Sequence, residues 1–200
     1  MPGWPAVLSD GPVTARPFRQ RDAALWSDVR LANQDWLAPW EPTLPGGWAK
    51  RNGIPAYGPM LRAFRRQARA GQTMAFALWY DGRFAGQLTV GNIVRGSAAN
   101  AYLGYWVDQR LAGHGIMPTA VALVVDHCFT SGRLHRVEAN IRPENVASRR
   151  VVEKLGFREE GRHERFLFID GAWRDHINYA VTAEDVPEGL LRRWRQVSRT

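Results

Sequence analysis

Cysteine is nearly absent from this chain: Cys128 stands alone among 200 residues. One thiol closes no intramolecular disulfide, so a disulfide-stapled scaffold is excluded. No Cys/His pair has the spacing of a zinc site, and no metal is expected. Long apolar runs are missing as well. Unbroken runs such as Ala120–Val125 are far too short to cross a bilayer, so no membrane partner is expected. The first residues, Met1-Pro2-Gly3-Trp4-Pro5, lack the basic segment and apolar run of a secretory leader. A cytoplasmic location is the resulting expectation. Internal repeats, low-complexity tracts and shifts of composition are also absent, which argues against a second domain.

What is present suits a soluble fold. The chain is 45% hydrophobic and 23% charged, and its length fits a single domain over residues 1–200, with a core at about 13–182 and a basic helical tail. The formal charge is +8, and of the 27 basic residues only Lys50 and Lys154 are lysines. A GC-rich coding sequence produces that bias. So does selection for contact with a polyanion such as RNA or a nucleotide's phosphates.

Asp-Gly pairs at Asp81-Gly82 and Asp170-Gly171 organise the chain. Phe76–Tyr80 meets Arg83–Val90 across Asp81-Gly82, and Phe166–Ile169 meets Trp173–Val181 across Asp170-Gly171. An Asp-Gly between β-prone runs predicts a tight hairpin. A loop at Arg95-Gly96-Ser97 leads to a further strand at Ala101–Val107. Met117–Phe129 reads as a buried helix. Arg136–Ile141 alternates as a strand, with Val137, Ala139 and Ile141 on one face and Arg136, Glu138 and Asn140 on the other. Ser148, Val151, Val152 and Leu155 recur at helical spacing, with Asn145 placed at or near the N-cap and Gly156 just past the end. The N-terminal part predicts a strand at about 13–18, a helix at about 21–34, a loop from Pro39 to Gly58 and a helix at about 59–70. A short terminal helix is expected after Val186.

The chemistry concentrates in Gln109-Arg110-Leu111-Ala112-Gly113-His114-Gly115-Ile116, between a strand and a helix. Two glycines allow a tight turn and close approach of backbone to a ligand, and free N–H groups at the start of the next helix favour an anion, above all a pyrophosphate. No Gly-Lys-Ser/Thr follows, so this is not a Walker loop. The preceding meander and the missing third glycine exclude a dinucleotide fingerprint. By themselves the glycines also fit a simple turn.

Taken with Asn145-Val146-Ala147-Ser148 and the closing Glu153-Lys154-Leu155-Gly156-Phe157, the loop resembles the Q/R-x-x-G-x-G/A motif of the GNAT superfamily of N-acetyltransferases. Leu37–Pro42, Gly104–Val107, His135–Ala139 and Gly171–His176 resemble more narrowly the RimJ/RimL-type ribosomal-protein-alanine N-acetyltransferases. The resemblance implies an α/β (α+β) GNAT fold: a mixed, mostly antiparallel sheet flanked by helices. Its fourth and fifth strands, here Ala101–Val107 and Arg136–Ile141, would splay apart. Acetyl-CoA is the implied co-substrate. Its pantetheine arm would pair near Trp106, Val107 and Gln109, and its pyrophosphate would sit on Gly113, His114, Gly115 and Ile116 beside Arg110.

The implied reaction is direct attack of an amine on the thioester. It needs a neutral amine, an oxyanion site and a proton for the thiolate. Ser148 matches the family's N-x-x-S and is the candidate proton donor; a helix-turn serine is its structural alternative. Asn145 would order the cofactor arm or cap its helix. Glu138, facing the splay, is a candidate general base or half of an ion pair. Some relatives carry a catalytic glutamate three residues before the last hairpin's turn, where this chain has Leu167. Trp36, Trp40 and Trp48 would border the acceptor or simply pack. Arg62, Arg65, Arg66 and Arg69 form a helical stripe, either solvated or steering RNA-bound proteins.

The implied acceptor is a protein N-terminus, with ribosomal proteins or the ribosome as partners, and no sequence-specific nucleic-acid binding. A small amine acceptor and a non-catalytic acetyl-CoA- or RNA-associated binding protein are the alternatives.

Overall fold

In the Asp-Gly turns at residues 81–82 and 170–171 each residue takes positive φ: Asp81 and Gly82 at +48° and +74°, Asp170 and Gly171 at +51° and +71°. That pairing matches the right-handed twist of the flanking strands, so each turn closes a two-residue hairpin. The computed structural model describes residues 1–198. In chain order the elements are β1 (Leu8–Asp10), β2 (Val13–Pro17), α1 (Ala23–Ala32), α2 (Gln34–Leu37), α3 (Trp48–Asn52), α4 (Ile54–Arg69), β3 (Met74–Tyr80), β4 (Arg83–Val94) and β5 (Asn100–Val107). They continue with α5 (Ile116–Phe129), β6 (Arg136–Ile141), α6 (Val146–Lys154), β7 (Arg158–Ile169), β8 (Ala172–Thr182) and α7 (Leu190–Val197).

The strands form one sheet in the order β1-β2-β3-β4-β5-β6-β8-β7. Only β5 and β6 run parallel, and their ladder is short: Asn100↔Arg136, Ala101↔Val137 and Tyr102↔Glu138. Beyond that point β5 stays paired to β4 as far as Val107↔Gly86. β6 stays paired to β8 through Ile141↔Ile177. Each strand follows its own half of the sheet, and a cleft opens between them. Because Leu8–Asp10 adds an unforeseen edge strand, the splayed pair are the fifth and sixth strands, not the fourth and fifth.

Both faces of the sheet are covered. Met74, Phe76 and Leu78 of β3 point into a core shared with Val121, Val125 and Leu190. Ala75 and Ala77 point the other way, against Trp26, Tyr57 and Leu61. Burial on both sides explains why β3 reads as continuously apolar rather than alternating. Cys128 is fully buried in the first core, which pushes its thiol up to about 12. Among the described residues, no helix is long and apolar enough to cross a membrane.

The region expected to be loop departs most from the sequence reading. It contains α3, and α4 begins at Ile54 rather than near residue 59. Pro55 sits in the first turn, where its missing N–H costs nothing, and Pro59 removes only one hydrogen bond from a helix well packed through Tyr57 and Leu61. Arg62, Arg65, Arg66 and Arg69 lie exposed on its outer side. The helix expected over 21–34 breaks at Asn33, whose side chain is used elsewhere. β7 starts at Arg158, and the terminal helix starts at Leu190, where Asp126 of α5 accepts from the N–H groups of Leu190 (2.6 Å) and Leu191 (3.0 Å). That long-range cap seats α7 across the end of α5.

Candidate active site

The cleft continues into one cavity of ≈ 850 Å³. Its floor begins at the loop after β5, which is held from below. Asp108 is buried and accepts from the backbone and guanidinium of Arg110 and from Asn33 Nδ2 (3.1 Å). Burial alone would raise this carboxyl; hydrogen bonds from Arg110 and Asn33 outweigh it and hold it below the usual range. Asn33 Oδ1 accepts from Gln109 N–H at 2.8 Å, and Trp36 Nε1 donates to the Val107 carbonyl at 3.1 Å. The break after α1 thus serves to clamp this loop.

Above the clamp, Gly113 and Gly115 take φ of +86° and +71°. Gly115 opens α5 with no side-chain cap, and the amides of Gly113, His114 and Gly115 find no backbone acceptor among the described residues. These unengaged N–H groups at a helix start fit a pyrophosphate. Trp194 of α7 lies beside them and donates to Thr119 Oγ1 at 2.8 Å, while Thr119 Oγ1 donates to the Gly115 carbonyl. A side chain at Gly115 would meet only Trp194, at 3.5 Å. Its cost is therefore conformational, about 1–2 kcal/mol for a residue other than glycine in this region and more for a β-branched one. Gly115→Val is expected to weaken acetyl-CoA binding by about tenfold or more, with the fold retained. Unchanged affinity by calorimetry in a folded variant would show that the loop does not form the cradle.

Where β5 and β6 part, α6 presents Ser148. Asn145 Oδ1 accepts from Ser148 N–H (3.1 Å), so the asparagine caps α6. Ser148 Oγ donates to the Tyr105 hydroxyl at 3.0 Å, and that hydroxyl donates to the Ser148 carbonyl at 3.2 Å. Burial raises the Tyr105 phenol far above its ordinary value, so it keeps its proton. Tyr105 was not singled out from the sequence. The alternation of β5 places it in the cleft, but only the fold pairs it with a residue 43 positions on.

The opposite wall comes from the segment after α2. Arg30 of α1, almost fully buried, donates from both terminal nitrogens to Glu41 and from Nε to Asn52 Oδ1 (2.8 Å). It lies over the rings of Trp48 (4.6 Å) and Trp106 (5.1 Å). Arg142 donates to the Pro39 carbonyl at 2.8 Å and covers Trp40 at 5.2 Å. Thr43 N–H bonds the Phe168 carbonyl, joining this wall to the β7–β8 hairpin.

Of the residues expected to serve the site, Trp106, Val107, Gly113, Gly115 and Ile116 border the cavity, as do Asn145 and Ser148. Gln109, Arg110, His114 and Glu138 lie outside its lining. Arg110 turns back to Asp108, and His114 is exposed with Nδ1 near the Leu111 and Ala112 carbonyls at 3.2 Å. Glu138 is held by Arg136 (2.9 Å), Asn178 Nδ2 (2.9 Å) and Asn100 Nδ2 (3.3 Å). Burial pushes its carboxyl up, but hydrogen bonds from Arg136 and Asn178 outweigh that and keep it ionised, as half of an ion pair. Trp36 and Trp40 border the cavity; Trp48 packs on Arg30. Among the described residues no group of His, Cys, Asp and Glu is arranged to hold a metal ion.

Known proteins are similar to this chain in sequence and fold. The family described as an acetyltransferase (GNAT) domain matches residues 13–158. The [ribosomal protein uS5]-alanine N-acetyltransferase of Escherichia coli is 33% identical over 190 residues, covering 91% of this chain and 93% of that one. The structure of Mycobacterium smegmatis RimJ in complex with CoA-disulfide superposes with a TM-score of 0.96 at 44% identity, over 99% of this chain and 97% of its own. A ribosomal-protein-S5-alanine acetyltransferase from Vibrio fischeri gives 0.81 at 27% identity, over 90% and 98%.

Proposed function

The chain belongs to the GNAT family and is an acetyl-CoA-dependent N-acetyltransferase, and from that premise we propose that it acetylates the free α-amine of a protein N-terminus, that of a ribosomal protein. The observation that carries the α-amine is the state of the cavity's carboxylates. Glu41 is taken by Arg30 and Arg51, and Glu144 by Arg142. Neither carboxylate is a free base for a protonated acceptor, which favours an amine that arrives neutral. At pH 7 an α-amine of pKa near ~8 is about a tenth neutral, whereas lysine near ~10.4 is under roughly a thousandth. Similarity to alanine N-acetyltransferases of ribosomal proteins supports the same acceptor class.

The chemistry follows from the cleft. The amine nitrogen attacks the thioester carbon, and the oxyanion is met by backbone N–H groups at the end of β5. The C–S bond breaks, and the thiolate takes a proton from the Ser148–Tyr105 hydroxyl pair. Mass spectrometry of a peptide with an N-terminal alanine and internal lysines is expected to locate the acetyl group on the α-amine. Acetylation chiefly on lysine, or activity confined to small amines, would overturn this reading.

A further inference from the structure

One titratable group of the cavity is unused by this chemistry. His176 of β8 borders the cavity yet is only 2% exposed. Its Nδ1 lies 3.0 Å from the Arg174 carbonyl. A carbonyl oxygen only accepts, so Nδ1 carries the hydrogen, and in the neutral ring Nε2 holds a lone pair. Nε2 makes no hydrogen bond with any described residue. The ring is fixed further by the edge-to-face contact of Phe166 at 5.8 Å.

The placement also sets the imidazole on the hairpin of β7 and β8. Leu167 of β7 pairs with Arg174, and His163 pairs with His176, two residues along the same strand. Cross-strand neighbours share a face, so the imidazole arises from the same hairpin that carries Leu167. We propose that His176 is the general base of this transferase, its Nε2 accepting the proton that the amine nitrogen sheds as it bonds to the acetyl carbon. This rests on the amine-acetylating reading above.

The step balances simply. The new C–N bond uses the amine's lone pair, and the carbonyl π pair moves to oxygen. One N–H proton passes to Nε2; the C–S pair leaves with sulfur when the carbonyl re-forms. His176 then returns its proton to water. Burial keeps this imidazole below its ordinary pKa, so it is neutral and able to accept at pH 7. Three charged groups face it: Arg142 from the segment after β6 lowers it further, while Glu144 from that segment and Asp175 of its own strand oppose this.

His176→Asn is the decisive variant, because its amide can still donate to the Arg174 carbonyl from the place of Nδ1 but supplies nothing at Nε2. The expected result is an unchanged acetyl-CoA Kd with kcat lowered by about 10²-fold, the scale of acid–base assistance. The pH profile separates a base from a packing residue. In the parent, log kcat/KM rises with slope two at the acid end, where both the acceptor amine and His176 must lose a proton, and with slope one above the His176 pKa. The variant is expected to keep slope one throughout. Parent-like kcat and an unchanged slope in a folded His176→Asn would overturn the assignment. Each protein is assayed with the alanine peptide and with a small primary amine. A parent that uses only the small amine refutes the acceptor reading while the variant's ratio still judges the base; a parent that acetylates neither overturns both.

Discussion

Arg30→Ala is expected to lower the midpoint of thermal unfolding by about 6–12 °C, corresponding to ~3 kcal/mol in a chain of this length. The side chain deleted is the hub of the acceptor wall. It is the bidentate partner of Glu41, the donor to Asn52 and the cation sandwiched near Trp48 and Trp106. Removing it leaves the Glu41 carboxylate with only Arg51, at 3.6 Å, and strips Asn52 Oδ1 of its donor inside the fold. Glu41 retains some access to water, with about a quarter of its side chain exposed, so the cost sits at the lower end for a broken buried pair. Arg30→Lys keeps the charge but not the planar fork or the stacking, and is expected to recover only part of the loss. A shift under about 2 °C for the alanine variant would show that the wall holds without this hub. Since the wall borders the cavity, the surviving fraction is also expected to show a raised acceptor KM with acetyl-CoA affinity little changed.

The second large effect lies in turnover rather than stability. Ser148→Ala and Tyr105→Phe are each expected to lower kcat by about 10²-fold, with acetyl-CoA Kd within a few-fold of the parent. The two hydroxyls donate to one another's residue, Ser148 Oγ to Tyr105 and Tyr105 to the Ser148 carbonyl. They act as a unit, so the double variant is expected to lose little beyond either single one. The phenol, raised by burial, does not ionise in the working range. No alkaline loss of activity from this tyrosine is therefore expected below pH 10. Stopped-flow or single-turnover measurement of thiol release separates the chemical step from product release. If both single variants keep parent-like rates, Ser148 serves only the first turn of α6 and the thiolate is protonated by water.

Much of this was legible in one dimension because it rests on local chemistry. Asp-Gly at residues 81–82 and 170–171 favours the positive φ that a two-residue hairpin turn needs, so both of these hairpins could be read directly. The alternation of Arg136–Ile141 placed Val137, Ala139 and Ile141 in the core, where they are at most 5% exposed. Asn145 at the head of α6 and Gly113 and Gly115 before α5 are positions at which few other residues fit. The early start of α4 was not legible, because Pro55 and Pro59 read as breakers until tertiary packing of Tyr57 and Leu61 is known to outweigh one lost hydrogen bond.

The residues that complete the site were hidden for a different reason. Arg30 and Glu41 are 11 positions apart, Tyr105 and Ser148 are 43, and Asn33 and Asp108 are 75. No periodicity or motif links such pairs; they meet only when the sheet forms and β5 and β6 part. By itself the sequence determined the turns, the strand faces, the helix caps and the glycine loop before α5, each set by φ preference and side-chain spacing over a few residues. The tertiary structure alone decided which side chains stand across the cleft from one another. It turned Glu138 into an ion pair with Arg136, committed Glu41 to Arg30, and left the His176 imidazole buried with one nitrogen free, because burial and long-range partners, not residue type, set whether a polar group is spent on structure or available for chemistry.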